Sequence, residues 1–121
     1  MTTQKKMKWK YSIVVVNFPF SDKENSKERP ALCLTEPTGR YHEVVLAYIT
    51  SKIPYETLST DIIVPKECEE FDATGLPHSF AVRLHKITTM SATLLPLAFG
   101  TLPQQLRENV DDQLRLLFSL R

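Results

Sequence analysis

Apolar residues fall into short blocks separated by polar turns, and only the last block has helical spacing. Ile13 to Phe20 reads Ile-Val-Val-Val-Asn-Phe-Pro-Phe. This β-branched and aromatic run predicts a strand buried on both faces. Pro19 has no N–H to donate, which puts the end of that strand at an edge or a bulge. Ser21 to Glu28 is polar throughout and predicts an exposed loop. Arg29-Pro30 opens a second apolar run, Ala31 to Thr35, and Pro37-Thr38-Gly39 is a turn signal. Glu43 to Ile49 predicts a third strand that ends in Thr50-Ser51. Asp61 to Val64 predicts a short strand stopped by Pro65. Glu67 to Asp72 predicts a helical turn. Ser79 to Leu84 predicts a fifth strand, and Lys86 to Met90 either extends it or begins a sixth.

The final block differs. Pro103 is a favoured first-turn residue. Leu106, Val110, Leu114 and Leu117 follow at spacings of four, four and three. This is an amphipathic helix, and Leu116, Phe118 and Leu120 widen its apolar face. Short strands followed by one terminal helix predict a mainly β chain with helices (α+β): a small, strongly bent antiparallel sheet or barrel with the helix laid on it. No repeat, linker or low-complexity segment divides residues 1–121, so one domain is expected.

Charge refines this picture. Lys and Arg total 15 against 14 Asp and Glu, a net charge of +1, which excludes a uniformly basic nucleic-acid coat. Residues 1–10 nevertheless carry four lysines and no acid. That tail reads either as a solvated, frayed terminus or as an RNA contact. The longest uncharged run, which begins at Ile87 and stops before Arg107, is interrupted by threonines, serine, proline and glycine and is not a membrane span. No apolar segment with a small-residue cleavage site follows the N-terminal lysines, so a cytoplasmic location is expected. Cys33 lies in an apolar run and Cys68 in an acidic one. They form no C-x-x-C pair and no zinc set, and both are expected to be reduced.

With glycine only at positions 39, 75 and 100, no phosphate-binding glycine loop is possible, and no H-E-x-x-H is present. His42 and His78 read as surface or hydrogen-bonded histidines. Three places carry possible chemistry. Arg29 stands where a polar loop meets a strand. Thr50-Ser51 puts two hydroxyls at a strand end. Arg83 and His85 project to the same side of an extended strand, because side chains alternate. Arginines, a histidine and hydroxyls suit a phosphodiester. Each also has a plainer role: Arg29 in a surface ion pair, Thr50 and Ser51 as turn caps, Arg83 paired with Asp61 or Glu43.

Five segments, taken in order, resemble the MazF/PemK toxin family. Val15-Val16-Asn17-Phe18-Pro19-Phe20-Ser21-Asp22, followed after a polar loop by Ser26-Lys27-Glu28-Arg29-Pro30-Ala31-Leu32, is similar to that family's first strand, loop and Arg-Pro entry. Ile49-Thr50-Ser51 is similar to its strand end. Thr74-Gly75-Leu76 with Ser79-Phe80-Ala81-Val82-Arg83-Leu84, then Lys86-Ile87-Thr88-Thr89-Met90, then Phe99-Gly100-Thr101-Leu102 complete the series, so the resemblance runs from Ile13 to Phe118.

The resemblance implies an SH3-like small barrel of the MazF/PemK/CcdB plasmid-maintenance toxin type, a homodimer, an antitoxin partner and a single-stranded RNA substrate. It implies a metal-independent endoribonuclease with no cofactor. Matched residue by residue, Arg29 takes the place of the arginine on the scissile phosphate. Thr50, with Ser51 beside it, takes that of the strand-end threonine, and Arg83 that of a second arginine. His85 stands where some members carry an aspartate, and imidazole is the better proton shuttle of the two types present. Lys27, Phe20 and Tyr55 join Ser51 as candidates for RNA contact. Tyr11-Ser12 replaces the usual Gly-Asp before the first strand, and Glu28 precedes the arginine. An inactive member that binds RNA or an antitoxin is the alternative. A gyrase poison is disfavoured, because the helix ends without the tryptophan those relatives use.

Overall fold

The structure, a computed structural model, describes residues 8–17, 28–95 and 98–121. The predicted mainly β architecture is present. Strands β1 (Ser12–Val16), β2 (Arg29–Cys33), β3 (Glu43–Thr50), β4 (Asp61–Val64), β5 (Phe80–Ser91) and β6 (Gly100–Thr101) form one sheet in the order β4-β5-β3-β2-β1-β6. All its pairings are antiparallel. The sheet curls into a half-barrel, and helix α1 (Arg107–Leu117) packs on one face.

Period-two alternation sorts the strand residues between two faces. Ile13, Leu32, Ala47, Ile49, Ile62, Val82 and Leu84 join Leu102 and Val110 in the main core beneath the helix. Leu106, Leu114 and Leu117 pack against it, as their spacing predicts. Leu116, Phe118 and Leu120 do not widen that face: they are more than half exposed. On the opposite face Val14, Val16, Ala31, Cys33, Val44 and Leu46 form a smaller cluster, against which Tyr48 and Trp9 lie.

Several boundaries differ from the sequence reading. β2 begins at Arg29, because Arg29 pairs with Val16 across the β1–β2 ladder. Lys86 to Met90 continues β5 and adds no separate strand. The register jumps there: Ala47 faces Ile87 but Tyr48 faces Arg83, so Leu84, His85 and Lys86 form a bulge. The helical turn falls later than expected, as a 3-10 turn at Phe71–Thr74. β6 is a two-residue strand inside a stretch that reads only as the approach to the helix. The stretch 18–27, which contains the candidates Phe20 and Lys27, lies outside the described residues.

The chain ends are tied together. Tyr11 adopts φ 74°, a left-handed conformation unusual for a bulky residue. Its hydroxyl donates to the Asp111 carboxylate of α1, at 2.8 and 2.9 Å to the two oxygens. Lys10 Nζ lies 3.4 Å from the same carboxylate, and the Arg107 guanidinium covers the Tyr11 ring at 5.1 Å. Tyr11 is thus held by a hydrogen bond and a cation–π contact.

Candidate functional site

The strand ends of β2 and β3 open onto a cavity of about 480 Å³. Arg29 and Pro30 come from β2. Tyr48, Ile49 and Thr50 come from β3, and Ser51 and Lys52 follow it. Leu76, Pro77, His78 and Phe80 close the other side. Three of the expected residues, Arg29, Thr50 and Ser51, therefore meet in one groove.

Register explains why. Ala31 faces Tyr48 across the β2–β3 ladder, and paired residues point to the same side. Arg29 is two residues before Ala31 and Thr50 two after Tyr48, so both project from the face opposite the helix. The Arg29 Nε is buried and has no hydrogen-bond partner among the described residues. The Thr50 hydroxyl is partly occupied with its own turn: it accepts from the Lys52 N–H at 3.1 Å and lies 3.5 Å from the Lys52 carbonyl. Its capping role and its place in the groove coexist.

Arg83 lies in the same cross-strand row, facing Tyr48 on one side and Asp61 on the other. It does not line the cavity. Its Nε sits 2.9 Å from Asp61 Oδ1, with the two side chains 15% and 1% exposed. The pair is Coulombic and not a directed hydrogen bond, since neither atom has an aligned hydrogen-bond partner among the described residues. Asp61 is also held by the Leu58 N–H, which donates to Oδ2 at 2.8 Å. The plainer role foreseen for Arg83, an ion pair with Asp61, is the one its geometry shows.

His85 is exposed on the β5 bulge and does not line the cavity either. Its pKa is lowered from the ordinary 6.5, chiefly by partial burial and then by the Arg83 charge, with Asp61 opposing and Lys86 adding. Tyr55 is fully exposed and stands apart from the groove. Cys33 is buried, and burial followed by the charge of Glu36 pushes its thiol up to about 12. No group of three His, Cys, Asp or Glu side chains that could hold a metal occurs among the described residues.

Two groove residues were missed from sequence, Lys52 and His78. Lys52 directly follows the Thr-Ser pair. His78 sits on a loop whose ends are fixed. Gly75 takes φ 74°. The Thr74 hydroxyl donates to the Phe71 carbonyl at 2.8 Å and accepts from the Leu76 N–H at 3.1 Å. Beyond His78, the Ser79 hydroxyl accepts from the Lys66 N–H at 2.7 Å. The Thr-Gly-Leu…Ser motif was the available signal: it marks a loop anchored at both ends.

A family model of PemK-like, MazF-like toxins of type II toxin-antitoxin systems matches residues 10–118. The chain belongs to that family. Among solved structures it is similar to the Mycobacterium tuberculosis toxin MazF-mt6, with a TM-score of 0.66 and 22% identity over 91% of this chain and 98% of that one. It is also similar to an endoribonuclease in complex with its cognate antitoxin from Mycobacterial species, with a TM-score of 0.65 and 14% identity over 93% and 95% of the two chains. At such identities the likeness is one of fold. No curated protein matches the sequence. No helix among the described residues is long and apolar enough to cross a membrane.

Proposed function

We propose that this toxin is a sequence-specific endoribonuclease that cuts single-stranded RNA without a metal. It leaves a 2′,3′-cyclic phosphate and a 5′-OH end. The observation that carries this reading is Arg29: a cationic donor atom, buried and without a hydrogen-bond partner among the described residues, in the wall of an open groove. A buried polar atom in that state calls for a partner, and an anion suits a guanidinium.

The chemistry follows from the groove. The 2′-hydroxyl oxygen attacks the adjacent phosphorus, and negative charge builds on the nonbridging oxygens. Arg29 donates to those oxygens, with Lys52 adding positive charge from beyond β3. Thr50 and Ser51 supply hydroxyl donors at the strand end. Arg83 acts from the neighbouring row through its field. A cognate antitoxin that covers the groove and a homodimeric assembly complete the proposal, following the family. Binding without cleavage is the second reading, favoured by the Arg83–Asp61 pair, which commits the second arginine to a carboxylate.

The test is cleavage of a long unstructured RNA in EDTA, with both ends mapped. Wild type should cut at one short motif, and Arg29→Ala should lose about 10²–10³-fold in rate, the usual cost of one such donor. A folded wild type that binds the RNA and leaves it intact would establish the binding reading instead.

A further inference from the structure

Attack by a 2′-hydroxyl sets a proton moving, and arginine does not exchange protons near neutrality. We propose that His78 is the catalytic residue that takes this proton, in place of the His85 that strand alternation suggests. The assignment rests on the endoribonuclease reading and deepens it.

Three observations carry it. His78 lines the cavity that also holds Arg29, Thr50 and Ser51, whereas His85 does not. Imidazole is the side-chain type in that lining that exchanges protons in the neutral range. The loop carrying His78 is pinned on both sides, by Thr74 to the Leu76 N–H and by Ser79 to the Lys66 N–H. A side chain on a loop so held meets its substrate with little reorganisation. The charged and titratable groups that share the cavity with it are Arg29 from β2, Tyr48 from β3 and Lys52 beyond it. No carboxylate lines the cavity among the described residues.

The step balances with solvent alone. Neutral His78 takes the proton from O2′ as the O2′–P bond forms. The P–O5′ bond breaks and O5′ takes a proton from a water molecule. The hydroxide left behind is neutralised by the imidazolium, which returns His78 to its neutral form. RNA is cut into a cyclic phosphate end and a 5′-OH end, and no water is consumed.

The experiment is single-turnover cleavage between about pH 5 and pH 9 by wild type, His78→Gln, His78→Ala and His85→Gln. For wild type the rate should rise with pH as the general base gives up its proton and then level off. His78→Gln should fall by about 10²–10³-fold and lose the rising limb, and added imidazole should restore part of the activity of His78→Ala. Retention of the wild-type rate and limb in His78→Gln overturns the assignment. So does loss of the limb in His85→Gln alone. A reduced rate in both His78 variants with an unchanged limb and no imidazole rescue makes the residue structural and also overturns it. If wild type cuts no RNA, the endoribonuclease reading itself fails and the assignment falls with it.

Discussion

Gly100 tests whether the groove loop and the chain closure are one packed unit. A Cβ built there would lie 2.1 Å from the Thr74 carbonyl oxygen, 2.4 Å from its carbon and 2.7 Å from the Ala73 oxygen. Carbon atoms pack best at ~3.5–4.0 Å, so the two backbones must separate by roughly 1 Å or more. The clashing atoms are main chain and cannot turn away as a side chain would. Overpacking of this kind costs about 1–3 kcal/mol, and a backbone-to-backbone clash belongs at ~3. At about 4 °C per kcal/mol for a chain of this size, Gly100→Ala should melt ~12 °C below wild type. Gly75→Ala provides the scale. Its Cβ would meet the Phe99 carbonyl at 2.9 Å and the flexible edge of the Phe99 ring at 3.1 Å, at a φ of 74°. A left-handed alanine costs roughly 1–2 kcal/mol, with a small steric addition. Calorimetry on the three proteins should therefore rank wild type above Gly75→Ala above Gly100→Ala. A Gly100→Ala protein that melts with wild type, or above Gly75→Ala, would refute the packing of β6 against the Phe71–Thr74 turn.

Two further outcomes follow from the charges and thiols. In an NMR titration the His85 imidazole should titrate below 6.5, and Arg83→Gln should move its midpoint up by removing the cation beside it. The sign is fixed: a histidine whose pKa folding lowers contributes stability that is present above about pH 6.5 and is lost as pH falls from there through its lower folded value. The same variant strands the buried Asp61 carboxylate, so it should also destabilise the fold by ~3 kcal/mol in denaturant titration. With a thiol reagent near pH 8, native protein should titrate as one slow cysteine, Cys68, while Cys33 reacts only on unfolding. Cys33 is wholly buried with its thiol at about 12, and Cys68 is half-buried with a more modest upward shift.

Where a local signal sufficed, the sequence was readable. Asp61 to Val64 is a strand because a β-branched run ends at a proline, and both limits match the structure. Leu106, Val110, Leu114 and Leu117 mark the buried side of the helix because their spacing follows its pitch. The Arg-Pro and Thr-Ser pairs led to the groove through the family resemblance. What was not readable depends on register. Nothing local tells that Tyr48 and Asp61 flank Arg83, so its ion pair could only be one option among others. The bulge at Leu84 to Lys86 leaves no trace in a run that looks continuous. β6 is invisible because two residues, one of them glycine, have no strand pattern of their own. His78 sits outside any strand, and only the folding of its loop back over the ends of β2 and β3 gives it neighbours.

The tie between Tyr11 and Asp111 has a consequence for the order in which this protein comes into being. The two residues are 100 apart in sequence, and the β1–β6 pairing spans nearly as far. Closing a loop of that length costs about 4 kcal/mol in chain entropy on the logarithmic law. The contacts that repay it, β6 and the helix, follow every other strand in chain order, so a nascent chain that has not reached them holds β1 without one of its two neighbours. The main core lacks Leu102 and Val110 until then. A chain stopped before β6 therefore has the groove residues in hand but not the closure that sets them. In this member of a toxin family, β6 and the helix together decide when the groove is set.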